Sequence, residues 1–75
     1  MIEKVIEILS EFTTLEKETI ERESGLITDL GLNSLDIINA VVTFEEAFDI
    51  EIPDGKIAEL HTVGDVVDYL ETMVQ

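Results

Sequence analysis

Apolar residues recur at helical spacing from the first turn of the chain. Ile2, Val5, Ile6, Leu9 and Phe12 share one face, with Glu3, Glu7 and Glu11 between them. That pattern predicts an amphipathic helix. It fades at Thr13-Thr14, where β-branched side chains lower helix propensity. Over residues 13–33 the apolar positions Leu15, Ile20, Leu26, Ile27, Leu30 and Leu32 are irregularly spaced. This stretch reads as a long connection over the core, with a helical turn within 16–22. Leu15, Ile20, Leu26 and Leu30 are its expected anchors, and Gly25 and Gly31 its turns.

A second helix is expected from Asn33 or Ser34 to about Phe48. Asn33 suits the N-cap, and Asp36, three residues on, favours the positive end of the helix dipole. Ile50-Glu51-Ile52-Pro53 then reads as extended, because the residue before proline avoids helix. Asp54 is placed to cap a short third helix through about Leu60, with Ile57 and Leu60 facing in. Thr62 and Asp65 form the sequence of a capping box for a last helix. Val63, Val66, Val67, Leu70 and Val74 make its stripe. No segment alternates as a strand. The predicted fold class is all-α: a small four-helix bundle of three main helices plus a short third helix, with residues 1–75 forming a single domain.

The second helix carries two stripes. Ile37, Val41, Phe44 and Phe48 belong in the core. Leu35, Ile38 and Val42 follow i, i+3, i+7 on another face. A bundle this small buries one face of a helix well, so part of the second stripe should stay exposed, bordered by Asp36, Glu45 and Glu46. An apolar strip rimmed by charge is a docking signature.

Composition sharpens this. The chain has 75 residues, 18 acids against four bases, and a net charge of −14. Residues 23–55 hold eight acids and no base. Such a surface repels nucleic acid and anionic membranes and attracts proteins with basic patches. A hydrophobic fraction of 45% is too high for a disordered acidic tail. There is no cysteine, which excludes disulfides and thiolate metal sites. No apolar run approaches the roughly 18 residues of a membrane span, and no signal peptide is visible at the N-terminus. The expected setting is cytoplasmic and the expected state a monomer without membrane insertion.

Ser34 stands where the long loop ends and the docking helix starts. Nucleophilic catalysis would need a base and an orienting group. The only histidine, His61, is expected on the surface between the third and fourth helices, and Gly31-Leu32-Asn33-Ser34-Leu35 is not a nucleophile elbow. A calcium-loop reading from Asp29 also fails: its sixth and twelfth positions are Ser34 and Ala40, where glycine and glutamate are needed. No metal site is predicted, beyond weak divalent binding to the acidic surface. A serine offered without a base suggests a modification site.

The run Asp29-Leu30-Gly31-Leu32-Asn33-Ser34-Leu35-Asp36, followed by Phe44-Glu45-Glu46-Ala47-Phe48-Asp49-Ile50-Glu51-Ile52-Pro53-Asp54, resembles the acyl carrier protein family over nearly the whole chain. The resemblance implies a four-helix bundle with a short third helix. It implies 4′-phosphopantetheine, delivered from coenzyme A by a phosphopantetheinyl transferase, on Ser34. It implies acyl groups held as thioesters, and docking through Leu35, Asp36, Ile38, Val42, Glu45 and Glu46. The implied partners are that transferase and the acyl-transfer and synthase enzymes of fatty acid, lipid or polyketide biosynthesis, with basic docking patches. The chain would be a carrier and not an enzyme. Asn33 stands where the family usually has aspartate, and Asn39 where its fatty-acid-synthesis members commonly have glutamate. Both changes remove a negative charge from the docking helix, which points toward a specialised member. An unmodified acidic interaction module of the same fold, or a carrier of aminoacyl groups, stays open as an alternative.

Overall fold

The first apolar stripe forms α1 (Ile2–Leu9), the first element of a computed structural model that describes residues 1–74. Val5, Ile8 and Leu9 are buried, and Ile2 and Ile6 pack partly against them. The helix stops short of Phe12. The Ser10 hydroxyl donates to the Glu7 carbonyl at 2.6 Å, competing with the helical backbone. Glu11 and Phe12 then continue as i→i+3 turns onto Ile8 and Leu9.

The long connection runs from there to Asn33. Its helical turn is a short 3-10 segment at Lys17–Thr19. Ile20, Leu26, Leu30 and Leu32 are buried in the core. Leu15, the fourth expected anchor, is 38% exposed instead, and Leu32 takes the load. An isolated leucine in a loop has no periodicity to aim it, so its direction depends on the path of the chain. The loop is tied to the last helix through its backbone. Leu26 N–H donates to the His61 carbonyl at 2.9 Å, and the Val63 and Gly64 N–H groups donate to the Ser24 and Arg22 carbonyls. These bonds satisfy donors that a helix start leaves free. They also explain Gly64, where a Cβ would press to 3.2 Å from the Arg22 carbonyl oxygen. The Arg22–Asp68 ion pair at 2.8 Å lies on the surface, where such pairs contribute little. It holds the Arg22 guanidinium above its usual pKa.

Then follow α2 (Ser34–Phe48), α3 (Asp54–Ile57) and α4 (Val63–Met73). Among the described residues these four helices are joined by no strand, only an isolated bridge between Gly25 and Thr62. α1 packs against both α2 and α4. Ala40, Val41 and Phe44 of α2 are buried, with Ile37 and Phe48 packed partly against the core. From α4 come Val63, Val66, Val67 and Leu70, while Val74 lies past the helix end and is exposed. α3 is shorter than its apolar pattern suggests. Pro53 takes the N-cap position, Asp54 is already helical and makes no cap bond, and Gly55 weakens the helix interior. Residues to Leu60 continue as turns, which still bury Leu60.

The α4 capping box is complete. Asp65 N–H donates to Thr62 Oγ1 at 3.1 Å, and Asp65 Oδ2 accepts from the N–H groups of Thr62 at 3.1 Å and His61 at 3.0 Å. The His61 amide is the main reason that the Asp65 carboxyl titrates below the usual aspartate range. The charged form is therefore the one the fold prefers. Its contribution is fully present above the unfolded aspartate value of about 3.9 and is lost as pH falls through the folded value. Asp65→Asn should lower stability by on the order of 1 kcal/mol near neutral pH. That difference from the unchanged protein should close in acid. Thermal unfolding of both chains across pH checks it, and a gap that widens toward acid would have the wrong sign.

Candidate functional site

The residues before α2 fix where Ser34 sits. Asp29 Oδ2 accepts from the Gly25 N–H at 2.6 Å, while the Asp29 and Leu30 N–H groups both donate to the Gly25 carbonyl at 3.0 Å. Thr13 Oγ1 donates to the Leu30 carbonyl at 2.7 Å, fastening the end of the α1 turn to the same spot. Leu30 and Leu32 anchor the loop in the core. Between them Gly31 adopts φ +72°, a left-handed conformation that favours glycine. Asn33 closes the sequence. Its Oδ1 accepts from Asp36 N–H at 2.8 Å, and Asp36 Oδ2 accepts from Asn33 N–H at 3.2 Å. This full capping box sets the start of α2 to the residue.

Ser34 is thus the first residue of a 15-residue helix and is exposed. Among the described residues its hydroxyl makes no hydrogen bond. The amides of the first turn have no intrahelical partner, and the Ser34 and Leu35 N–H groups point toward any anion bound at this end. Beside Ser34 opens a cleft of about 300 Å³ between the long loop, α2, α3 and the turn before α4. Its walls are mainly apolar, from Ile27, Ile37, Ile38, Ile57 and Leu60, with Asp54 and His61 as polar groups. An exposed, unbonded hydroxyl at a helix start beside an open apolar cleft fits a bulky, flexible phosphodiester-linked group.

The second stripe of α2 is exposed as expected: Leu35 64%, Ile38 50% and Val42 46%. Glu46 is exposed at its border. Asp36 and Glu45 are half-buried, and each has a second task. Asp36 completes the helix cap. Glu45 Oε2 accepts from the Ile52 N–H at 2.8 Å, which pins the extended segment before α3 to the end of α2. The Glu45 carbonyl also accepts from Ile50 N–H, past Asp49 in the left-handed conformation at φ 55°.

Sequence patterning missed Ile27, which is 61% exposed and lines the cleft with Ser34 and Ile38. Ile27 directly follows buried Leu26 within a turn, where no periodicity aims a side chain, so the sequence carried no signal for it. It also missed the placement of His61 in the cleft. No group of three or more His, Asp or Glu placed to hold a metal is found among the described residues. No described helix is long and apolar enough to cross a membrane.

Residues 3–70 match the family model described as "Phosphopantetheine attachment site". The chain is 42% identical over 67 residues to a protein of Syntrophobacter fumaroxidans named acyl carrier protein, covering 89% of this chain and 83% of that one. It is 40% identical over 72 residues to the acyl carrier protein of Wolinella succinogenes, covering 96% and 95%. It is 41% identical over 71 residues to that of Clostridium acetobutylicum, covering 95% and 92%.

Proposed function

The chain belongs to the phosphopantetheine-attachment family and is a carrier of acyl groups on covalent 4′-phosphopantetheine, and from that premise we propose that Ser34 is the attachment residue. The observation that carries this reading is the free, exposed Ser34 hydroxyl, set by the Asn33–Asp36 box at the edge of the cleft. In the attachment step Ser34 Oγ forms a bond to the phosphorus of coenzyme A that bears the pantetheine. The bond from that phosphorus to the bridging oxygen breaks, and adenosine 3′,5′-bisphosphate leaves with the electron pair. The serine proton passes to the transferase, because no base of this chain is bonded to the hydroxyl. When bound, the group supplies a terminal thiol that holds cargo as a thioester.

The chain's own part is presentation. Ser34 acts as an acceptor, and the reactions are run by partner enzymes. Leu35, Ile38 and Val42 offer the apolar centre of a docking face, with Asp36 and Glu46 at its rim for basic patches on a transferase, acyl-transfer enzyme or synthase. The carrier is read as one domain, monomeric and cytoplasmic. To test the cargo, the arm-bearing protein is charged by an acyl-transfer enzyme and then treated with neutral hydroxylamine. An acyl mass gained and then released supports the reading. A protein that carries the arm and accepts only aminoacyl groups overturns it.

Glu45 and Glu46 separate in experiment. Glu46→Lys should slow arm attachment several-fold at low salt, with the effect shrinking as salt rises and the melting temperature unchanged. Glu45→Ala removes the acceptor of the Ile52 N–H and should cost about 1–3 kcal/mol of stability. Attachment kinetics and thermal unfolding read the two effects. Equal melting temperatures for the two variants would remove the loop-pinning role of Glu45.

A further inference from the structure

The cleft beside Ser34 is poor in groups that can hold a polar ligand. Apart from Ser34 itself, its lining has one carboxylate, Asp54, and one ring able to donate a hydrogen bond or carry positive charge, His61. The other cations lie elsewhere or are engaged. Arg22 is bonded to Asp68, and Lys56 reaches Glu59 at 3.3 Å with its ammonium 4.9 Å from the centre of the Tyr69 ring. Neither of these lines the cleft. His61 is also firmly placed by its backbone, donating to Asp65 Oδ2 and accepting from Leu26 N–H. Its side chain is exposed and makes none of the hydrogen bonds that hold the fold. An anchored backbone with a free ring suits a group that meets a ligand.

We propose that His61 is a positioning residue for the phosphopantetheine arm, its imidazole holding the arm's polar part in the cleft between α2 and α3. This inference rests on Ser34 as the point of attachment. The arm brings a phosphodiester anion, amides and a hydroxyl. Beyond the helix-start amides, the His61 ring is the one lining side chain other than Ser34 that offers a donor to the anion or the amide carbonyls, while Asp54 can accept from the amide N–H groups or the hydroxyl. The charged groups facing His61 are Asp54 on α3, Asp65 on α4, and Glu23 and Asp29 on the long loop. All are acidic, so among them only the His61 ring can donate to the arm's phosphodiester, and an anion brought beside the ring favours its charged form.

Proton NMR of the His61 ring, followed across pH with and without the arm, tests this. Mass spectrometry first confirms that the arm is on. At about 0.15 M salt, where screening acts beyond about 8 Å, attachment should move the His61 titration to higher pH. Attachment should also shift the amide signals of Ile57 and Ala58 on the α3 wall. In His61→Ala, which keeps both backbone bonds, those amide shifts should be lost. A mass gain with an unmoved His61 titration, or with Ile57 and Ala58 shifts that survive in His61→Ala, overturns the role of His61 and leaves Ser34 standing. The absence of any mass gain overturns both.

Discussion

Ser34→Ala is expected to abolish carriage without disturbing the fold. The variant gains no arm from coenzyme A and a transferase, and acyl transfer by any partner synthase falls to background. Stability should stay within about 0.5 kcal/mol, since the side chain is exposed and makes no bond within the fold. The Asn33–Asp36 box that starts α2 does not use the Ser34 side chain. Loading assays and thermal unfolding on the same sample separate this from misfolding. A folded Ser34→Ala chain that still loads would remove Ser34 from the function.

The second large effect is on stability. Phe44 is a fully buried ring in α2, packed where Leu9, Leu26, Val41 and Val66 meet with almost no free volume. Phe44→Ala should cost about 3–5 kcal/mol. A domain of this size buries only about 60% of its unfolded surface, and its total stability should lie near the lower end of about 5–15 kcal/mol. The net charge of −14 adds self-repulsion. At about 4–8 °C per kcal/mol, the melting temperature should fall by at least about 12 °C. Circular dichroism on heating reads this directly. A fall of only a few degrees would mean that α2 is held by something other than its core stripe.

Much of this was legible because it is local. Asn33 with Asp36 and Thr62 with Asp65 are pairs three residues apart, and both became complete boxes. The i, i+4, i+7 stripe of α2 faced the core, and the i, i+3, i+7 stripe stayed out. What escaped was set by distant parts of the chain. Leu15 is turned out and Leu32 in by the loop's path. Ile8, which was not among the stripe residues of α1, is buried because α1 packs against two helices. Glu45 meets the Ile52 N–H only because the chain reverses at Asp49, so a residue read as pure docking surface also holds a turn. The cleft needs four segments to meet, and no spacing announces that Ile27 and His61 will face Ser34.

The most direct test of a carrier with its arm on Ser34 is fragment mass spectrometry after incubation with coenzyme A and a broad-specificity phosphopantetheinyl transferase. The expected result is one phosphopantetheine, found on the fragment that contains Ser34 and on no other. A folded protein that gains nothing from several transferases, or that carries the group on another residue, would contradict it.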